Sequence, residues 1–168
     1  LPPTTALEWD PEDCLVDLDD NETEVDDPDW DDIVMLTGSE IIRSVRNAIY
    51  EKLGYTCSAG IARNKMMAKL GSSTNKPNKQ TIVRNRAIQN FLGGFKFTKI
   101  RMLGGKLGKQ VVNSFDTELV SDLLKVSIDQ FRAKLDDDTA AWLYGIIRGE
   151  DRSEVNPRTQ IKSMLSAK

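Results

Sequence analysis

Fourteen of the chain's 26 acidic residues stand in its first 32 positions, and none of its 23 basic residues does. A stretch with that much charge and few apolar groups cannot bury enough surface to offset the entropy of ordering it. Residues 1–32 are therefore expected to be an acidic, flexible connector, with Cys14–Leu15–Val16 a candidate for one brief strand. The packed body is expected from about residue 33. Residues 33–168 hold the other 12 acids and all 23 bases, a net charge of +11. A body so basic favours an acidic partner, of which nucleic acid is the common one. The carboxylates of the lead invite a metal reading, but no rigid scaffold is visible there to hold them at ligand distances, and no metal site is assigned.

Other chemistry is limited by what the chain lacks. It has no histidine, which removes His-based acid–base catalysis and most zinc designs. Cys14 and Cys57 are too few for a disulfide framework. No run of 18 apolar residues reads as a membrane span, and no membrane partner is expected. The sequence starts at Leu1 rather than Met and stops abruptly at Lys168, and so reads as a fragment.

A long helix is expected from Asp31 or Asp32, where a carboxylate can cap free N–H groups. Ile41, Ile42, Val45, Ala48, Ile49 and Leu53 form its apolar set, with Arg43, Arg46, Asn47 and Lys52 opposite. Gly38 is a candidate bend, and Gly54 a left-handed cap. Tyr55–Ile61 then reads as a short buried strand, the following lysine-rich segment as a helix, and Gln80–Val83 as a second strand, on one side of a mixed sheet. From Asn85 the pattern is helical pieces separated by glycine: about 85–92, 98–103, 106–115, 117–124, 127–135 and 138–148. In the last of these Trp142 reads as core beside Ile146, and Gly149 as its cap. The fold class is α+β and mostly helical.

Two stretches carry chemistry. In SAGIARNKMMAKLGSSTNKPNKQ (58–80), Met67 and Leu70 line one face of the helix while Lys65 and Lys69 lie one turn apart on the other, with Lys76 further along roughly the same line. Pro77 pushes Lys76 out of helical geometry. This is either a solvated amphipathic helix or a phosphate-facing edge ending in a fixed lysine. In TKIRMLGGKLGKQVVNSF (98–115), Ile100 and Leu103 pack one short helix and Val111, Val112 and Phe115 the next, joined by Gly104–Gly105–Lys106–Leu107–Gly108. Glycines there permit positive φ and close backbone approach, and the amides at the start of the second helix present partial positive charge to a phosphate. Lys99, Arg101, Lys106 and Lys109 add full charge. Such contacts position a duplex without reading its bases. The alternative is a plain glycine turn.

Together with WLYGIIRG and VNPR…KSMLSAK, and in the same order, these segments resemble the Y-family translesion DNA polymerases, most of all their eukaryotic, fungal-type eta branch, over about residues 33–168. The resemblance implies the C-terminal part of a palm at 33–84, a helical thumb with a helix–hairpin–helix at 85–155, and a linker at 156–168 into a little-finger domain. It implies that Lys76 contacts the incoming deoxynucleoside triphosphate, and that Gly104, Gly105, Lys106, Leu107, Gly108 and Lys109 grip the backbone of primer–template DNA. Lys65 and Lys69 would make weaker phosphate contacts or face solvent. Ala62 departs from the family, many members of which have Ser there to cap the helix.

The resemblance also implies a nuclear enzyme that uses Mg²⁺, with a sliding clamp as a possible partner of the full-length protein. The metal-binding carboxylates and fingers of the family lie upstream of anything in this sequence. The expectation is a piece of a DNA-directed DNA polymerase, inactive by itself, with no catalytic or metal residue of its own. The alternative is a non-catalytic helix–hairpin–helix DNA-binding module, and a third class is an interaction fragment whose acidic lead recruits a basic partner. Primer extension separates the first two, and salt-dependent DNA binding the last two.

Overall fold

The computed structural model describes residues 6–16, 28–161 and 163–165. Three short strands form an all-parallel sheet in the order β1 (Cys14–Leu15), β3 (Gln80–Ile82), β2 (Ala59–Ile61). The sheet is thus parallel where a mixed one was expected, and the strand expected over Tyr55–Ile61 is confined to its last three residues. Side chains alternate across a strand, and here the alternation places one helix on each face. Gln80 donates to the Ser39 carbonyl of α1 (Trp30–Leu53), whereas Thr81 Oγ1 accepts from Asn75 at the end of α2 (Lys65–Thr74). On β2, a Cβ at Gly60 would lie 1.9 Å from the Ala68 carbonyl oxygen of α2, while the next residue, Ile61, meets Gly38 of α1. Gly60 is the contact that lets α2 lie directly on the sheet.

The acidic lead is not wholly the solvated connector its composition suggests. β1 pairs with Thr81 and Ile82, and Arg43 of α1 reaches Asp13 at 2.7 Å and Asp10 at 3.4 Å. A strand partner and a guanidinium supply the stabilisation that residues 10–16 lack alone. Residues 1–5 and 17–27 of the expected connector lie outside the described residues. Helix α1 begins earlier than expected. Asp29 is its N-cap, accepting from the Asp32 amide while the Asp32 carboxylate accepts from the Asp29 amide, a reciprocal capping box. Gly38 does not end it, and Gly54 closes it with φ 72°.

The burial of α1 also differs from its sequence pattern. Ile41, Val45 and Leu53 are exposed, as are Trp30 and Val34, while Arg43 and Arg46 turn toward the sheet. The end of the sheet offers carboxylates, amide oxygens and a free carbonyl, and satisfying these draws the guanidinium face inward.

The helical part contains α3 (Ile88–Gly93), α4 (Lys106–Phe115), α5 (Val120–Leu123), α6 (Ile128–Lys134) and α7 (Asp137–Ile146), with 3-10 turns at Asn85–Ala87 and Phe97–Lys99. The expected first hairpin helix over 98–103 is only the second of these turns. One buried cluster runs from Met66, Met67 and Leu70 of α2 through Ile88, Leu92, Phe97 and Val111 to Leu143, Ile146 and Ile147. Phe131 meets Phe115 edge-on at 5.1 Å and joins α6 to α4. Trp142 is half-buried against this cluster. Gly149, at φ 83°, ends α7 against Ile88. The fold is α+β and mostly helical.

The chain then doubles back onto the start of α2. Asn64 caps that helix through its Oδ1 and donates its Nδ2 to the Gly149 carbonyl at 2.7 Å. The Met66 amide donates to Asp151 Oδ2 at 3.2 Å, and Ser153 donates to Asp151 Oδ1. Burial alone would raise the Asp151 carboxyl, but the Ser153 and Met66 bonds and the nearby Lys65 hold it below the usual range. Asp151→Ala is expected to lower the unfolding free energy by about 1 kcal/mol at neutral pH, the usual cost of losing a helix-start acceptor. Because the folded carboxyl titrates below its unfolded value, this contribution is present above the ordinary carboxylate range and fades as pH falls through the lowered folded value. Urea unfolding of both proteins at neutral and acid pH checks it: the two curves should converge in acid.

Candidate nucleic-acid interface

The segment between the Phe97–Lys99 turn and α4 is a tight hairpin. The Ile100 amide donates to Phe97, and the Leu103 amide to Ile100, each at 3.0 Å, which turns the chain back before α4 begins. Ile100 and Leu103 are fully buried and anchor it. Between them Arg101 and Met102 project outward, and Gly104, Gly105 and Lys106 are exposed.

The three glycines do different work, and none has positive φ. A Cβ at Gly108 would stand 1.7 Å from the Leu103 carbonyl oxygen, so Gly108 is where α4 crosses the hairpin backbone. Gly105 has nothing within 4 Å of that position. It is the N-cap of α4 and supplies no side-chain acceptor, and no acidic residue lies in the first turn. The helix start therefore keeps its donor amides for an external acceptor. The residue at positive φ is Met102, at 76° and 70% exposed. No sequence signal marks it, since glycine was the expected bearer of that conformation and Met is a poor one.

Of the named hairpin residues, Lys106 and Lys109 are exposed beside Gly104 and Gly105, with Lys99 and Arg101 on the preceding turn. Leu107 is half-buried against the core.

The α2 lysines separate. Lys69 is exposed. Lys65 donates to the Glu154 carbonyl at 3.0 Å, so its ammonium serves the returning chain. Lys76 lies beyond the end of α2, exposed, in a turn whose Lys76–Pro77 peptide is cis. The turn is tethered by Asn75 to Thr81 and by Asn78 to Arg46. Arg46 was grouped by sequence with the outward polar residues of α1, and its spacing gives no hint of this contact.

Two family models match the chain. One, described as the impB/mucB/samB family, covers residues 4–73, and the other, described as DNApol eta/Rev1, HhH motif, covers residues 97–150. Among curated proteins, the chain is 41% identical over all its length to N-acetyltransferase eso1 of Schizosaccharomyces pombe, of which that stretch is 20%. It is 38% identical over 79% of its length to DNA polymerase eta of Drosophila melanogaster, covering 15% of that protein. It is likewise 38% identical over 85% of its length to DNA polymerase eta of Arabidopsis thaliana, covering 21%. The chain thus spans about a fifth of the length of these relatives. The two matched segments lie on elements that pack around one core, and with these relatives they show that the chain belongs to the Y-family of DNA polymerases.

Proposed function

We propose that this chain supplies the duplex-gripping and triphosphate-facing part of a nuclear translesion DNA polymerase, with the hairpin at 104–109 holding DNA phosphates and Lys76 meeting the incoming deoxynucleoside triphosphate. The observation that carries the reading is the uncapped, exposed start of α4 beside Lys106 and Lys109. It combines donor amides that no side chain caps among the described residues with the exposed charges of Lys106 and Lys109, the requirement for holding a phosphate without reading sequence. The reading gives the exposed Lys69 and Lys99 further phosphate contacts, and Lys65 a weaker one, since its ammonium also donates to the Glu154 carbonyl.

Lys76 suits a point contact with a triphosphate, offsetting charge that builds on the leaving pyrophosphate. The Mg²⁺ that such chemistry uses finds no ligand set among the described residues. Among the described residues no three His, Cys, Asp or Glu side chains gather to hold an ion. Asp10 and Asp13 are taken by Arg43, and Asp32 by Arg84. No step is therefore routed through a metal on these residues, and the chain alone is proposed to lack nucleotidyl transfer. A sliding clamp would be a partner of the longer polymerase. Among the described residues no helix is long and apolar enough to cross a membrane.

Titrating a labelled duplex into the chain at several salt concentrations tests the reading. We expect sequence-independent binding with Kd about 10⁻⁴–10⁻⁶ M. Lys106→Ala and Lys109→Ala should each weaken it and lower the log–log salt slope by about 0.9. Replacing the seven carboxylates of residues 17–27 by amides, which leaves β1 and the Arg43 pairs in place, should tighten binding at low salt, because the acidic lead competes for the same cations. Variants that bind with native affinity and slope would move the DNA contact off the hairpin.

A further inference from the structure

The turn that carries Lys76 is held by one guanidinium from the opposite face of the sheet. Arg46 of α1 donates through Nε to the Cys57 carbonyl at 2.9 Å, through Nη1 to Gln80 Oε1 at 2.9 Å, and through Nη2 to Asn78 Oδ1 at 3.0 Å. Gln80 is buried and is itself fixed by donating its amide to the Ser39 carbonyl, so this acceptor cannot swing away. Asn78 sits at φ 53°, a left-handed conformation that Asn tolerates better than most residues, and its side chain is then tied by Arg46. On the other side of the turn, Asn75 donates to Thr81 Oγ1 at 3.0 Å. Lys76 and Pro77, both exposed, therefore lie between two tethered asparagines.

We propose that Arg46 is a positioning residue for Lys76, fixing the turn so that the Lys76 ammonium is presented to a polyphosphate. The inference rests on the reading of Lys76 given above. A planar fork can serve three acceptors lying in different directions, which a lysine cannot copy. Ordering the turn before the ligand arrives spares the ligand that cost, so the clamp acts on affinity without touching the ligand.

The test is protein-observed NMR titration of the 168-residue chain with dATP, alongside thermal unfolding of each protein. The variants are Lys76→Ala, Asn78→Gly, Arg46→Gln, and the pairs combining each of the last two with Lys76→Ala. Asn78→Gly keeps the left-handed backbone and removes only the Asn78 contact. The expected result is that Lys76→Ala, Arg46→Gln and Asn78→Gly each weaken dATP binding, by up to about tenfold, the equivalent of one charge-assisted contact. The Arg46 and Asn78 losses should vanish in the Lys76→Ala background, whatever they do to the unfolding temperature. A purely structural role would leave those losses in place. Full additivity with Lys76→Ala, or native dATP affinity in both Asn78→Gly and Arg46→Gln while Lys76→Ala is weakened, would overturn the inference alone. Native affinity in Lys76→Ala, or no response of the native chain to dATP, would overturn the reading of Lys76 itself and the inference with it.

Discussion

Gly108→Ala is expected to destabilise the chain by about 3 kcal/mol, the upper part of the range for forcing atoms into a filled site. The added methyl would stand 1.7 Å from the Leu103 carbonyl oxygen and 2.7 Å from its carbonyl carbon. The obstacle is backbone, which cannot rotate aside as a side chain would. Leu103 is fully buried and anchors the hairpin, so α4 must lift away from it. Val111 and Phe115, on the same helix, would lose their places in the core. Gly105→Ala is the matched control. With nothing within 4 Å of its Cβ position, it should stay within about 0.5 kcal/mol of native, as surface changes usually do. Urea unfolding by circular dichroism measures both. Equal midpoints for the two variants would mean that the crossing at Gly108 is not as close as described.

The second large effect belongs to the ion pair that ties α1 to the end of β3. Arg84 donates through Nε and Nη2 to the two oxygens of Asp32, at 2.8 and 2.7 Å, and both side chains are buried. The Arg84 guanidinium also lies 5.8 Å from the centre of the Trp9 ring, which brings the acidic lead into the same junction. Burial alone would raise the Asp32 carboxyl. The Arg84 bond and charge and the Asp29 amide outweigh it and hold the group below its ordinary 3.8. Arg84→Ala leaves a carboxylate buried without its partner, and is expected to cost about 3–5 kcal/mol at neutral pH. The folded carboxyl titrates below its unfolded value. Its stabilisation is therefore complete above about pH 5 and lost as pH falls through the lowered folded value. The native chain should lose stability over that acid range. Arg84→Ala should lose less, because its Asp32 no longer has a depressed titration to reverse. Parallel losses in the two proteins would show that this pair does not govern the acid response.

Much of this architecture is legible in the sequence where one physical rule decides the outcome. The glycines at 54 and 149 end helices because only a residue without Cβ enters the left-handed region freely, and both do so. Val111 and Phe115 pack α4 at helical spacing, and the mostly helical second half follows from glycine punctuation without a strand signal. The reading fails where a partner distant in sequence supplies the stabilisation. Cys14–Leu15 is the brief strand its local pattern allows, but the partner that orders residues 10–16 around it, β3, is named by no composition rule. α1 turns its arginines inward because the sheet end has polar groups to satisfy, against the simple expectation that apolar residues face in. Within the candidate site, the hairpin and its lysines were visible as a motif. The division of labour among Gly104, Gly105 and Gly108 was not, since spacing cannot distinguish a glycine that admits a neighbouring carbonyl from one that faces open solvent. The Arg46 clamp was hidden for the same reason as the α1 face.

The start of α4 is proposed to hold a phosphate with its own amides, and a single neutral substitution isolates that contact. Gly105→Asn places a good N-cap acceptor where the helix now has none, in a position with room for it, and leaves the net charge unchanged. The measurement is fluorescence anisotropy of a labelled duplex over a salt series, for the native chain and this variant. The expected result is a chain at least as stable as native whose DNA affinity falls about tenfold, because the side chain now occupies the donors a phosphate would use, while the salt slope stays near native, because no cation is removed. A Gly105→Asn chain that binds DNA with native affinity would overturn the amide contact and assign the binding to the basic surface as a whole.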